Sequence, residues 1–243
     1  MLDPVEESSI QLKFGVPYEQ VRRDHAISHI LNLMNHIETD FVFYGGTALA
    51  RTYLTSGRLS EDIDIFSDAR QILIRDIEAL PEWLEQEFPN AHWILGPSST
   101  KDSESALLNC SEEIQIKIQL IDSSDRGWKH VPREFSKIEQ RYSDVPITRM
   151  PVPTFDGFVA MKALVWFDRG APRDLFDLAG LAEVGSVTEV ARTTIEKILG
   201  HRLTGAMMNR KVVGDWRAQL AQQTREYGNE AQCLGRVLKW WGE

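Results

Sequence analysis

The segment from Phe41 to Phe66 constrains the fold more than any other part of the sequence. Residues 41–44 form a short apolar run, Gly45-Gly46-Thr47 follows, and residues 61–66 alternate polar and apolar side chains. The apolar run predicts a buried strand, and the alternation predicts a strand with only one face in the core. The threonine is expected to cap a short helix over 48–54. The order strand, glycine turn, helix, strand therefore organises the first half of the chain.

Other segments complete the predicted fold class. The clearest β pattern lies at residues 113–121, where isoleucine or leucine alternates with polar residues. Apolar positions at helical spacing predict a long helix over 17–37, and after Thr154 the pattern stays helical to the end. The further predicted elements are helices from an Asp68 cap to Ile77 and over 81–88, with strands at 93–95 and 106–110. We therefore predict an α+β fold, with a small mixed sheet followed by an all-helical half.

The domain organisation follows from length and turn content. The chain has 243 residues, of which 42% are hydrophobic, so it can bury one large core or two small ones. Residues 122–153 are rich in turn-forming residues and predict the boundary between two lobes. We place the lobes at residues 1–145 and 146–243.

Composition excludes several classes of protein. Seven Trp, ten Phe and five Tyr are too many for a disordered chain. No apolar run reaches the roughly 20 residues of a membrane span, and the acidic N-terminal segment is unlike a signal peptide, so we expect a cytoplasmic protein without membrane contact. Cys110 and Cys233 predict neither a disulfide framework nor a zinc quartet. The net charge of −9 argues against a generally basic surface but leaves room for a local basic groove or an acidic metal site.

Two aspartates in the second predicted strand carry the chemistry. Asp62 and Asp64 are two residues apart, so both carboxylates project from one face while Ile63 and Ile65 point into the core. Two parallel carboxylates repel each other unless a cation lies between them, and hard oxygen ligands suit Mg²⁺. The glycines of the preceding turn allow a phosphate to approach the backbone. A phosphate cradle beside a metal site is typical of nucleotidyl or phosphoryl transfer.

Two motifs resemble a known family. The first runs from Gly45 to Ala50 (GGTALA) and from Arg58 to Ser67 (RLSEDIDIFS), and the second from Lys162 to Leu178 (KALVWFDRGAPRDLFDL). In this order they resemble the AbiEii/AbiGii nucleotidyltransferases, which are toxins of type IV toxin–antitoxin and abortive-infection systems. That family lies within the DNA polymerase β-like nucleotidyltransferase superfamily. The resemblance covers roughly residues 20–180 and implies a polymerase-β-like lobe followed by the helical lobe.

The resemblance implies roles for individual residues. Asp62 and Asp64 would hold catalytic Mg²⁺ (or Mn²⁺), and an NTP would be the substrate. The catalytic set would also include Lys162, on the nucleotide phosphate, and Asp174, which would orient Lys162 or a neighbouring arginine. The implied nucleotide-binding residues are Gly45, Gly46, Thr47, Ser60, Lys162 and Arg169. An alternative for Arg169, Arg173, Asp174 and Asp177 is an ordinary surface ladder of ion pairs, worth little energy.

A third carboxylate is missing from the expected place. Many polymerase-β-like enzymes carry one on a later strand, but the polar face of residues 114–121 offers only Gln115, Lys117 and Gln119. Asp122 lies just beyond and shares the parity of the isoleucines if the alternation continues. We therefore predict a two-carboxylate site with Asp122 as a candidate third member, and leave the general base open.

Other constellations are weaker. His25 and His29 have the i, i+4 spacing of zinc ligands on a helix, but no third ligand is evident in the sequence, which favours hydrogen-bonded histidines on a helix face. Trp240-Trp241 is expected to pack a last helix. Four basic residues could line an RNA groove or be scattered surface charge: Arg202, Arg210, Lys211 and Arg217.

The sequence therefore predicts a metal-dependent nucleotidyltransferase. It would transfer NMP from an NTP to an acceptor, with the 3′ end of tRNA as the leading candidate from the resemblance. The outcome would be growth arrest, countered by a cognate antitoxin that is often a transcriptional regulator. The alternatives are transfer of NMP to a protein hydroxyl and a non-catalytic relative that binds a nucleotide or a partner protein.

Overall fold

The computed structural model describes residues 2–101, 104–122 and 127–242. The strands are β1 (Val42–Tyr44), β2 (Asp62–Ser67), β3 (His92–Leu95), β4 (Ser105–Ser111), β5 (Ile114–Asp122), β6 (Arg133–Ile138) and β7 (Thr148–Pro153). The helices are α1 (Pro4–Phe14), α2 (Tyr18–Met34), α3 (Gly45–Ala50), α4 (Arg70–Glu78), α5 (Leu80–Trp83), α6 (Phe155–Arg169), α7 (Pro172–Val184), α8 (Glu189–Leu199), α9 (Gly205–Met208), α10 (Trp216–Leu220) and α11 (Glu230–Trp241). The predicted α+β class, with a small mixed sheet and many helices, is confirmed.

Five strands form the mixed sheet in the order β1-β2-β5-β4-β3. Strand β2 pairs antiparallel with β1 and parallel with β5, and the other pairs are antiparallel. In β2 the side chains of Ile63 and Ile65 are buried, whereas Asp62 and Asp64 are partly exposed on the opposite face. The alternation of apolar and polar residues has therefore fixed which face of β2 carries the carboxylates.

The second sheet is a hairpin of β6 and β7, within the segment that was predicted to be turn-rich. Pro151 and Pro153 lie in β7 opposite Phe135 and Arg133. Proline interrupts a strand pattern in a sequence, because it lacks the N–H of a ladder, yet it is tolerated at the edge of a two-stranded sheet. This explains why the sequence pattern indicated turns here.

Two predicted helix starts are wrong. Helix α3 begins at Gly45 instead of after Thr47, whose buried hydroxyl donates a hydrogen bond to the backbone oxygen of Asp62 instead of capping the helix. Helix α4 begins at Arg70, and Ser67 instead of Asp68 accepts the hydrogen bond of the Ala69 N–H before it. Both polar side chains thus fasten β2 to its neighbours.

The helical half begins where the sequence predicts it. The Thr154 hydroxyl caps α6 by accepting a hydrogen bond from the Gly157 N–H. Trp240 and Trp241 anchor α11, because their indole N–H groups donate to the backbone oxygens of Gly185 and Leu203. One core cluster contains buried residues from both sides of residue 145, and the division into lobes at that point stays a prediction.

Candidate active site

Strand β2 presents the two aspartates side by side. Asp64 faces Gly45, because a Cβ added to that glycine would lie 2.1 Å from the Oδ2 atom of Asp64. Gly45 also has a φ of +80°, a conformation that other residues rarely adopt. The glycine turn therefore gives the backbone both its sharp bend and its close approach to the carboxylate.

The neighbouring residues of this turn lie against a buried arginine. A Cβ on Gly46 would lie 2.4 Å from a guanidinium nitrogen of Arg58 and 3.1 Å from the hydroxyl of Ser60. Thr47 uses its hydroxyl on the Asp62 backbone, as described above. The predicted nucleotide-binding residues of the turn thus lie together beside β2, and their contact with a nucleotide stays a prediction.

The electrostatics of the pair are unfavourable without a cation. Burial and the adjacent Asp62 raise the pKa of Asp64 to about 6, although the charges of Lys162 and two arginines oppose this rise. Burial also raises the pKa of Asp62, and the nearby Lys117 ammonium partly opposes it. Each carboxylate is therefore harder to ionise here than in water, and a divalent cation between them would relieve that cost.

The helical half contributes a buried ion-pair network. Lys162 on α6 lies 2.7 Å from an oxygen of Asp177 and 3.5 Å from one of Asp174, both on α7. Arg169 donates two hydrogen bonds to Asp174, at 2.7 and 3.0 Å. Asp174 and Asp177 are 0% and 2% exposed, so the alternative of an ordinary surface ladder is wrong for these two residues.

Arg58 is the residue that sequence reasoning missed. It donates two hydrogen bonds to Asp177, both at 2.9 Å, and a third to Gln223 at 2.6 Å. Although burial alone would raise it, the charges of Arg58 and Lys162 hold the pKa of Asp177 at about 2. Arg58 stands in the first motif, four residues before Asp62, but nothing in the sequence indicates that its partner lies on α7.

Strand β5, which is described over its whole length, has no third carboxylate on the face that carries Asp62 and Asp64. In the parallel ladder Lys117 pairs with Asp62, and Gln119 pairs with Asp64. Asp122 pairs with Ser67, which alternates to the opposite face of β2. The candidate role of Asp122 as a third metal ligand is therefore not supported by its place in the sheet.

Part of the predicted basic groove lies near α6. Arg210 donates a hydrogen bond to the Trp166 backbone oxygen, and a Cβ on Gly170 would lie 3.1 Å from its guanidinium. The backbone oxygen of Lys211 would lie 3.2 Å from the same Cβ. Arg202 lies 3.9 Å from Glu189 on α8, and a common groove for the four basic residues stays a prediction.

The comparisons with known proteins bear on this arrangement. The profile of the family described as "Nucleotidyl transferase AbiEii toxin, Type IV TA system" matches residues 33–231. The chain belongs to this family. The predicted family is thereby confirmed, and membership implies a nucleotidyltransferase with an NTP substrate, a divalent metal and a cognate antitoxin. No curated protein matches the chain.

One solved structure supports the fold. MenT4, a nucleotidyltransferase toxin from Mycobacterium tuberculosis, superposes with a TM-score of 0.68 at 19% identity, covering 93% of this chain and 83% of its own. A nucleotidyltransferase of H. pylori, described as putative, gives a TM-score of 0.46 at 17% identity, covering 92% of this chain and 95% of its own.

Among the described residues, no helix combines the length and apolar character needed to cross a bilayer.

Proposed function

We propose that this chain transfers NMP from an NTP to the 3′ end of a tRNA, in the cytoplasm, with Mg²⁺ bound to Asp62 and Asp64. The observation that carries the proposal is the meeting of two chain halves. Asp64 on β2 lies within electrostatic reach of Lys162, Arg169 and Arg173 from the helical half, and Asp62 lies within reach of Arg173. A carboxylate pair facing three cations suits a metal-bound triphosphate.

The side chains of β2 fit a divalent metal. Asp62 and Asp64 supply hard carboxylate oxygens on one face, and the raised pKa of both groups indicates that no protein cation fully compensates them. Carboxylates plus substrate phosphates are the usual ligands of Mg²⁺. When bound, the ion would stabilise charge on the attacking and leaving oxygens of the transfer.

The cations of the helical half would bind the triphosphate. An ammonium has three N–H donors, and Lys162 uses some of them on Asp177 and Asp174, which hold its side chain in place. Arg169 is held by Asp174 but its side chain is 58% exposed, so one edge of the guanidinium remains accessible. These residues would offset phosphate charge and position the triphosphate for in-line attack.

Positively charged residues near the site favour one class of acceptor. Arg169 and Arg173 lie on either side of Gly170 in the sequence and both act on Asp64, and the Arg210 guanidinium lies against the same glycine. The chain is acidic overall, so this group of arginines beside α6 and α7 is a local feature that suits a phosphate backbone. This favours RNA over a protein hydroxyl as acceptor. The proposed outcome is growth arrest by the modified tRNA, relieved by a cognate antitoxin.

The experiment is an incorporation assay with each of the four labelled NTPs, Mg²⁺ and either total tRNA or total protein. We expect label in tRNA, loss of label with EDTA, and loss in Asp62→Ala. Asp68→Ala is the matched control, because it removes an exposed carboxylate just beyond the same strand. Label retained in a folded Asp62→Ala variant would refute the metal assignment, and label in protein alone would refute the acceptor.

A further inference from the structure

A second cluster of ligand-type side chains lies outside the proposed active site. His25 and His29 are on α2, and Asp144 lies in the segment that joins β6 to β7. One ligand atom from each residue lies within 4.8 Å of the other two. Both imidazoles are almost fully buried, whereas the Asp144 side chain is 25% exposed. The third ligand that the sequence could not supply is therefore present in the fold.

The distances suit a small cation. The Nε2 atoms of His25 and His29 are 3.1 Å apart, and they lie 3.1 and 3.7 Å from Oδ2 of Asp144. The ligands of tetrahedral zinc, with bonds of about 2.0–2.1 Å, are about 3.3 Å apart. The centre of the observed triangle lies about 1.9 Å from each of its corners, so an ion at a zinc bonding distance fits just outside its plane.

The orientation of the two imidazole rings agrees with a shared ion. If both Nε2 atoms pointed to a shared ion at a zinc bonding distance, the ring centroids would be about 4.8 Å apart. If one ring donated a straight hydrogen bond to the other over the same 3.1 Å, the centroids would be about 5.4 Å apart. The observed separation is 4.6 Å, with the rings nearly perpendicular. The separation is therefore closer to that of two rings sharing an ion than to that of a straight hydrogen bond.

Hydrogen bonding alone satisfies this arrangement poorly. A neutral imidazole nitrogen carries either one proton or one lone pair. His25 Nε2 lies 3.1 Å from His29 Nε2 and from both oxygens of Asp144, so one proton would have to serve three acceptors at equal distance. A cation at the common point is contacted by all three side chains at once.

We infer that His25, His29 and Asp144 bind Zn²⁺, with a water molecule as the fourth ligand. Two imidazoles and one carboxylate suit zinc better than magnesium, which prefers oxygen ligands throughout. The ion would tether the β6–β7 segment to α2, with the rings of Phe88 and Tyr142 packed beside the histidines. Its binding free energy would add to the stability of the fold.

The test uses the full chain after EDTA treatment and dialysis. Zn²⁺ is titrated calorimetrically in excess Mg²⁺, which competes with zinc for the carboxylates of β2, and bound zinc is counted by mass spectrometry. We expect one zinc per chain, a higher Tm with zinc, and binding weakened at least about 100-fold in His29→Gln and Asp144→Asn, since loss of even an outer-shell partner costs 10–100-fold. Substituted Co²⁺ should give the visible absorption of a four-coordinate site.

Matched controls separate this site from others. His92→Gln and Glu112→Gln remove an exposed histidine and an exposed carboxylate elsewhere, and both should retain the zinc. Asp62→Asn should also retain it while losing transfer activity, so failure of the proposed function leaves this inference intact. The inference is overturned if the wild type binds no zinc, if Asp144→Asn binds it unchanged, or if the controls lose it equally.

Discussion

Asp177→Asn removes one negative charge from the centre of the buried network. The Asp177 carboxylate accepts two hydrogen bonds from Arg58 at 2.9 Å and lies 2.7 Å from the Lys162 ammonium. An asparagine of the same shape offers one oxygen and turns an NH₂ group towards a cation. Because buried Arg58 would lose its counterion and Lys162 would keep only the more distant Asp174, at 3.5 Å, we expect the free energy of unfolding to fall by about 3–5 kcal/mol.

The pKa of Asp177 gives an independent magnitude. Burial alone would raise this pKa, yet Arg58 and Lys162 hold it at about 2, below the ordinary value of 3.8. At about 1.4 kcal/mol per unit, ionised Asp177 contributes about 2–3 kcal/mol to stability. Because the folded pKa is depressed, this contribution is complete above about pH 4 and is lost as the pH falls through 2. The substitution should therefore have its full effect at pH 7.

The assay is urea unfolding at pH 7, with Asp168→Asn as the control for an exposed aspartate of α6. A double-mutant cycle with Arg58→Met isolates the pair and should give a coupling energy above about 1 kcal/mol. In NMP transfer, misplacement of Lys162 by about 1 Å should lower kcat/KM about 100-fold. A loss of stability below 1 kcal/mol with normal kcat/KM would refute the role of Asp177.

Three further predictions concern single residues. Gly45→Ala should lower activity at least 100-fold, since its Cβ would lie 2.1 Å from Asp64. The control is Gly200→Ala, which has a similar φ of +78° but no atom within 4 Å. This variant should retain activity while its free energy of unfolding falls by about 1–2 kcal/mol. Equal losses of activity in both would contradict this. Asp64→Asn in EDTA should be more stable than wild type by about 1–2 kcal/mol at pH 8 but not at pH 4. The reason is that the raised pKa of Asp64 makes ionisation of this carboxyl above about pH 6 destabilising. A Tm difference that does not depend on pH would contradict this prediction. Tyr142→Phe should cost about 1–3 kcal/mol in urea unfolding, because its buried hydroxyl donates to Asp24 at 3.0 Å; an unchanged midpoint would show that this bond contributes nothing.

The sequence predicts well those features that depend on local patterns. The alternation in β2 predicted that Asp62 and Asp64 share a face, and the structure has this arrangement. The long helix predicted over 17–37 is α2. In both cases the spacing of apolar residues within one element determines which face is buried, so no knowledge of distant residues is needed.

Features that depend on distant partners could not be predicted. Arg58 and Asp177 are 119 residues apart, and so are His25 and Asp144. A lone arginine before a strand, or a lone aspartate in a turn-rich segment, has no local pattern that names its partner. The hairpin of β6 and β7 was missed for a similar reason, because its prolines are acceptable only once the strand lies at an edge.

The buried charges make the two halves of the chain depend on each other. Arg58 comes from the first half, while its counterion Asp177 comes from the second, and both are almost fully buried. Either half alone would leave a charge without its partner in an apolar environment, which costs several kcal/mol. Asp177 of this ion pair also contacts the ammonium of Lys162. Its partner Arg58 lies against Gly46 in the glycine turn. Assembly of the fold and assembly of the site are therefore coupled, since the ion pair that joins the halves also positions Lys162, the lysine that we propose to bind phosphate.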